Sequence, residues 1–364
     1  MKHHFTKAIK LGLRIGLCLI LLIYIFHKIF VDEARLKLNV DWGTLTRAQQ
    51  WHAAWTIGPH ELWHMMSSTS PTAFGAVLLV VLATIILGVI RWRMVLKTQG
   101  LELSFKRTVS ISFVAQFFNS FLLGVSGGDL IKAYYVARET HHKKTEAVVT
   151  VFVDRLLGLW AMLFFACMMT LPNWNKLIHD KVLSTAVVVI WAMFVTLTII
   201  LYLAFWGGLS WWIPAARPLL RKLPKGEMIE RSLDSCRQFG GHKLLLLRSV
   251  IVSLVINTLV VFSYGIQAAG MQLSIPLLSL FLVVPLVTCL ASLPITIGGL
   301  GVRENLFVML LAGHSVDKTI QTGVLSLSLM IFVSSLLWGI GGGFVYMGLK
   351  EKEHLAEVTQ DESE

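Results

Sequence analysis

Two glycine-bearing stretches place charges where an apolar chain has no cheap position for them. Asn119 to Lys132 reads NSFLLGVSGGDLIK, and Leu293 to Asn305 reads LPITIGGLGVREN. Gly127 and Gly128 stand directly before Asp129, with Lys132 three residues on; Gly298, Gly299 and Gly301 stand before Arg303 and Glu304. A further charged pair, Asp154 and Arg155, interrupts the apolar run that follows the first stretch. Glycine lets backbone approach a ligand closely, a helix N-terminus attracts an anion, and arginine offers a fork of donors that matches phosphate. This set suits the binding of a phosphate-bearing group. Arg303 is the stronger phosphate candidate, because Asp129 repels an anion. The bland alternative is an ion-pair network that braces the chain. Buried ion pairs are poor stabilisers in their own right and intramembrane charges usually mark pathways, which favours the binding reading.

The elements that must position these groups follow from composition. Hydrophobic residues make up 55% of the chain and charged residues 15%, with a mean hydropathy of +0.70. Those values exclude a soluble domain and imply a polytopic membrane protein. A lone charge at the centre of a membrane helix costs about 2.5 to 3.5 kcal/mol, so Asp129, Lys132, Asp154, Arg155, Arg303 and Glu304 must be paired, hydrated or near an interface. Residues at i,i+1 point to different faces of a helix, so each member of Asp154–Arg155 and of Arg303–Glu304 needs a partner on another element. Asp129 and Lys132, at i,i+3, can pair locally, or Asp129 can cap the helix that follows it.

Apolar runs long enough to cross a bilayer core of about 30 Å are expected at Leu11–Phe30 and near residues 72–96, 147–171, 183–206, 244–269 and 319–349. Residues 32–71 form a Trp-rich polar segment, carrying Trp42, Trp51, Trp55 and Trp63, that reads as a helix lying at the outer membrane interface. Residues 207–243 form a basic cytosolic connector, and 350–364 a short acidic cytosolic tail, expected to be disordered. With the N-terminus inside, 23 lysines and arginines fall on the cytosolic side and 7 on the other, an asymmetry that fixes the orientation and accounts for much of the net charge of +11 without a nucleic-acid partner.

Residues 105–138 then enter and leave from the cytosolic side as a re-entrant hairpin, and residues 276–312 do so from the outer side. The expected fold class is an all-α integral membrane protein of about six full spans plus two opposed re-entrant helical hairpins. It forms one domain over 1–349 with inverted-repeat architecture, because only near a midplane cavity can irregular backbone avoid lipid. The alternative is eight plain spans whose glycines merely pack helices.

NSFLLGVSGGDLIKAYYVAR, then DRLLGLWAM, then LPITIGGLGVREN, together with the R-W-R of Arg91 to Arg93, resembles the lysylphosphatidylglycerol synthase transmembrane region, the flippase-like YbhN-type (UPF0104) membrane family. The resemblance covers most of residues 10–349. It implies a lipid-translocating membrane domain and points to Asn119, Gly127, Gly128, Asp129, Asp154, Arg155, Gly298, Gly299, Gly301, Arg303 and Glu304. Leu123 stands where the family often has proline. The family's name comes from larger proteins in which a soluble aminoacyl-lipid synthase domain follows the membrane part. None follows here, so synthase activity is not expected.

His60 to His64 reads HELWH, a formal match to H-E-x-x-H, in which His60 and His64 share a helix face and Glu61 acts as base on a zinc-bound water. Pro59 directly before it and the lack of an evident third ligand favour an interfacial helix over a metal site. Cys18, Cys167, Cys236 and Cys289 are scattered without metal spacing and read as small apolar residues. There is neither a phosphate loop of the G-x-x-x-x-G-K-[ST] type nor a D-x-D pair, so uphill transport needs an ion gradient or a partner, and Asp129, Asp154 and Glu304 are the groups a proton could use.

The expectation is a translocase that carries a phosphate-containing or polyprenyl-phosphate lipid between leaflets of a bacterial plasma (inner) membrane, with membrane lipids as partners and no cofactor. A membrane enzyme such as a glycosyltransferase on a lipid-linked substrate, and an accessory membrane subunit, are the alternatives.

Overall fold

The computed structural model describes residues 27, 30–31, 34–35, 37–38, 42–121, 127–140, 143–173, 181–206, 226–292, 302–312 and 318–361, and among them there are helices and no strand. A 3₁₀ turn at Trp42–Thr44 leads into α1, Arg47–Ser68. There follow α2, Pro71–Thr98; α3, Phe105–Phe121; α4, Gly127–Glu139; α5, Lys144–Thr170; and α6, Lys181–Phe205. Then come α7, Gly226–Gly241; α8, Lys243–Gly270; α9, Leu277–Ala291; α10, Val302–Phe307, continued by a π turn at Val308–Ala312; and α11, Lys318–Asp361.

Local chemistry sets the boundaries. Pro71 opens α2, where its missing N–H costs nothing, and Gly100 closes it at φ +64°, the left-handed conformation that glycine adopts freely. Among the described residues, five helical segments are long and apolar enough to cross a membrane: Pro71–Thr98, Lys144–Thr170, Leu183–Phe205, Lys243–Gly270 and Gly323–Gly348. Each starts within a few residues of an expected span. The first expected span, Leu11–Phe30, lies outside the described residues apart from His27 and Phe30. Large apolar side chains such as Val188, Val195, Ile199 and Tyr202 of α6 stand exposed, which is the surface a protein presents when lipid is its solvent. This is an integral membrane protein.

The remaining apolar helices are shorter. At about 1.5 Å per residue, the 17 residues of α3, the 13 of α4 and the 15 of α9 each fall short of a 30 Å hydrocarbon core.

The longest contact seam runs between α2 and α8, which are antiparallel: Ser70 N–H, at the start of α2, donates to the Gly270 carbonyl at the end of α8 at 3.1 Å. Around this pair, α3 packs on α11 and α9 on α5; α3 packs on α4 and α9 on α10; α4 packs on α5 and α10 on α11. The α3–α11 contact is backbone on backbone. A Cβ on Gly342 would lie 2.0 Å from the Phe113 carbonyl oxygen. Gly342→Ala is therefore expected to lower stability by about 1 to 3 kcal/mol through overpacking, read as a drop in the melting temperature of the purified protein. An unchanged melting temperature would contradict this contact.

Two expectations need correction. The acidic tail does not leave the helix, because α11 continues to Asp361. Its EKEHLAEV sequence is rich in helix formers, and extending an existing helix carries no nucleation cost. Within the basic connector, residues 226–241 fold as α7 and pack on α5 and α6, with Phe239 fully buried and Gln99 Nε2 donating to the Ser235 carbonyl at 3.0 Å. Residues 207–225 lie outside the described residues.

Candidate functional site

Arg91 lies deep in α2 and joins three helices. Its Nε donates to Asp154 Oδ1 at 2.8 Å, Nη2 to Asp154 Oδ2 at 3.2 Å, and Nη1 to Ser253 Oγ at 2.8 Å, which ties α2 to α5 and α8. The Arg91 and Asp154 side chains are only 14% and 8% exposed. Gly158, one turn past Asp154, leaves room for the guanidinium, since a Cβ there would stand 2.6 Å from Nη1.

Arg155 turns to another partner, with Nε 3.7 Å from Asp129 Oδ2 on α4. That is an ion pair too long for a hydrogen bond, and Asp129 Oδ2 is buried without any hydrogen-bond partner. Asp154 and Arg155 thus each find a partner on a different element.

Lys132 does not pair with Asp129. Its Nζ lies 4.4 Å over the Trp92 ring instead, and among the described residues no carboxylate reaches it within salt-bridge distance. The ring face, negative in its quadrupole, takes the place expected for the carboxylate. Asp129 is the third residue of α4, inside its first turn and past the capping position.

Asn119 closes the α3–α4 unit: its Oδ1 accepts the Gly128 N–H at 2.8 Å. Gly127 and Gly128 are both buried, and a Cβ on Gly128 would meet the Ala115 carbonyl oxygen at 2.1 Å and the Asn119 side chain at 2.6 Å. Gly128→Ala is expected to part the two limbs and lower the melting temperature of the purified protein. A wild-type melting temperature would show that the limbs do not need this approach.

These groups line a half-open cavity of about 140 Å³ between α2, α3, α4 and α5. Arg91 and Asp154 form one wall, Asp129 and Lys132 another, and Ser112 and Asn119 line it from α3. It is polar, and it holds both signs of charge.

The second charged pair forms its own centre on α10. Arg303 Nη2 donates to Glu304 Oε1 at 2.6 Å and Nε to the same oxygen at 3.0 Å. Adjacent residues were expected to need partners elsewhere, but the long arginine side chain bends back. Ser328 of α11 fixes the arrangement, accepting from Arg303 Nε at 3.1 Å and donating to Glu304 Oε1 at 3.3 Å. Phe332 lies 5.3 Å beneath the guanidinium, and Tyr264 of α8 stacks on Phe307 at 4.9 Å. Gly298, Gly299 and Gly301 lie outside the described residues.

Residues 48–339, well over half of the chain, match the model of the family described as Lysylphosphatidylglycerol synthase TM region. The chain belongs to this family. It is a membrane-lipid-related family, and the match runs from α1 into α11, so both charged centres lie inside the family domain. No curated protein matches the chain.

Other singled-out residues lie apart from the cavity. His60 and His64 sit on α1, both exposed, with Pro59 inside the helix; the Glu61 side chain is outside the described residues. Among the described residues no three His, Cys, Asp or Glu side chains group as a metal site. Cys167 and Cys289 are buried in the core, and burial pushes the Cys236 thiol of α7 above its usual range.

Sequence reasoning missed Arg91, Trp92, Ser253 and Ser328 as members of the two centres. Arg91 falls among the 23 lysines and arginines that the charge count assigns to the cytosolic side. The signal that could have found it is the demand of Asp154 for a cation on another helix.

Proposed function

We propose that the protein is a lipid translocase, moving a phosphate-containing lipid or a polyprenyl-phosphate lipid between the leaflets of a membrane by way of the α2–α5 cavity. One observation carries the reading: a polar cavity of about 140 Å³, lined by Arg91, Asp154, Asp129 and Lys132, lies among helices whose outer faces are apolar. A cavity of about 150 Å³ accepts a molecule the size of benzene, so this one has room for a phosphate-sized headgroup while acyl chains stay in lipid. The Lys132 amine is the cation best placed for the phosphate, being held by a ring face and, among the described residues, by no carboxylate. The Arg91–Asp154 clamp holds α2 and α5 in register beside it.

The packing supports an inverted repeat. Exchanging α2 with α8, α3 with α9, α4 with α10 and α5 with α11 maps the packed pairs onto one another, and the central α2–α8 pair is antiparallel. A two-fold axis relating antiparallel partners runs across them, which places it in the membrane plane.

On this plan α3–α4 and α9–α10 are re-entrant hairpins from opposite faces. The centres correspond in register as well: Trp92 with Tyr264, Asp129 with Glu304, Asp154 with Ser328, and Lys132 with Phe307, which stacks on Tyr264 as Lys132 lies over Trp92. Arg303 and Arg155 then serve the headgroup on its way, and the glycines of both hairpins shape its slot. The lysine and arginine bias supports an orientation with both termini on the cytosolic side, and the membrane in this reading is a bacterial plasma membrane.

Incubating the protein in proteoliposomes with phospholipids and a polyprenyl phosphate, with and without nucleotide sugars, and recovering the lipids for mass spectrometry tests the class of activity. Lipids that change leaflet at unchanged mass are expected. A mass gain that needs the nucleotide sugar would replace the translocase with a membrane enzyme.

A further inference from the structure

The charges that face the cavity balance in an unusual way. Arg91 and Asp154 neutralise one another through two hydrogen bonds, and Ser253 takes the remaining guanidinium donor that is paired. What the cavity still offers is one base and one acid. The Lys132 amine has an aromatic face and, among the described residues, no carboxylate within salt-bridge distance. The Asp129 Oδ2 is buried with no hydrogen-bond partner, its Arg155 neighbour standing at 3.7 Å. Beside them the Ser112 hydroxyl, only 8% exposed, is also without a partner, and the Asn119 and Gln116 amides complete the polar lining.

A buried carboxylate oxygen left without a hydrogen bond in a membrane cavity is costly, and so is an amine held by a ring. A purely anionic headgroup satisfies Lys132 but brings its charge against Asp129. A purely cationic one satisfies Asp129 and meets Lys132 with like charge. A headgroup with both signs satisfies both.

Asp129 and Lys132 are three residues apart on α4, which places their Cβ atoms about 5 to 6 Å apart on one face. A phosphate and an amine separated by two carbons span a comparable distance.

We infer that the cavity is a site for a zwitterionic phospholipid headgroup, a phosphate bearing a primary amine, with the phosphate on Lys132 and Ser112 and the ammonium on Asp129. The amine matters as a donor as well as a charge, because a trimethylated amine cannot hydrogen-bond to Asp129 Oδ2. This deepens the translocase reading, on which it rests for the lipid's being cargo, but the site itself is read by binding.

The test uses the full chain in detergent and three short-chain lipids, dihexanoyl phosphatidylethanolamine, phosphatidylglycerol and phosphatidylcholine, with affinity taken from the ligand-induced shift in melting temperature. The ethanolamine lipid is expected to bind about tenfold more tightly than either of the others, the worth of one hydrogen bond between charged groups. Asp129→Asn should bring it down to the glycerol lipid's level while leaving that lipid's binding in place or improved. Lys132→Gln should weaken both.

Equal binding of the ethanolamine and glycerol lipids, tighter binding of the glycerol lipid, no binding of any, or a preference that survives Asp129→Asn would each overturn the assignment. If the preference holds but no lipid changes leaflet in proteoliposomes, the translocase reading fails and the headgroup site stands. If lipids cross without the preference, the reverse is true.

Discussion

Gly88→Leu is expected to stop lipid movement and leave the fold intact. Gly88 lines the cavity from α2, and a Cβ placed on it meets nothing within 4 Å. A leucine side chain therefore enters open space. Glycine inside a helix also costs about 0.8 to 1.0 kcal/mol relative to the best helix formers, so the variant should melt no lower than wild type. The cavity of about 140 Å³ would lose much of its volume to the added side chain. Lipid movement in proteoliposomes should fall to the level of protein-free vesicles. A variant that melts normally and moves lipid at the wild-type rate would show that the path lies elsewhere.

The second large effect concerns the clamp. Asp154→Ala removes both hydrogen bonds from Arg91 Nε and Nη2 and leaves the guanidinium among buried neighbours, its bond to Ser253 Oγ the part of the clamp that remains. Removing one partner of a buried ion pair costs about 3 to 5 kcal/mol, most of it the penalty of the stranded charge. The melting temperature should fall sharply.

The double variant Arg91→Met with Asp154→Leu replaces the pair by apolar groups of similar size and should regain much of that loss. Movement of lipid should remain lost in the double variant. A double variant as unstable as the single one would mean that the pair is not the source of the cost. Full transport in a stable double variant would make the clamp a brace and nothing more.

Much of this architecture is legible in the chain before any coordinates. The spans starting near residues 72, 147, 183, 244 and 319 follow from hydropathy alone, because a bilayer imposes one length on every helix that crosses it. The α3–α4 unit was legible from glycines followed by Asp129 and Lys132 in apolar surroundings. The partners were not. Hydropathy does not say which face of α2 meets α5, so Arg91 read as a flanking charge, although Asp154 called for a cation.

The rule that i,i+1 neighbours face apart predicted the separate partners of Asp154 and Arg155. It failed for Arg303 and Glu304, where side-chain length overcomes backbone direction and Ser328 holds both. The α2–α8 seam was equally hidden. It depends on small residues such as Gly270 and Ala73 meeting across 197 positions of chain, which no periodic pattern records.

The measurement that tests the central claim most directly is leaflet reduction: fluorescent lipids in both leaflets of proteoliposomes, an impermeant reductant outside, and the rate at which inner-leaflet fluorescence is lost. Vesicles holding the wild-type protein should lose it faster than empty vesicles for at least one phosphate-containing lipid, and Arg303→Ala and Asp154→Asn, correctly folded, should not. Rates equal to empty vesicles across phospholipids and a polyprenyl phosphate, with and without a proton gradient, would contradict the account.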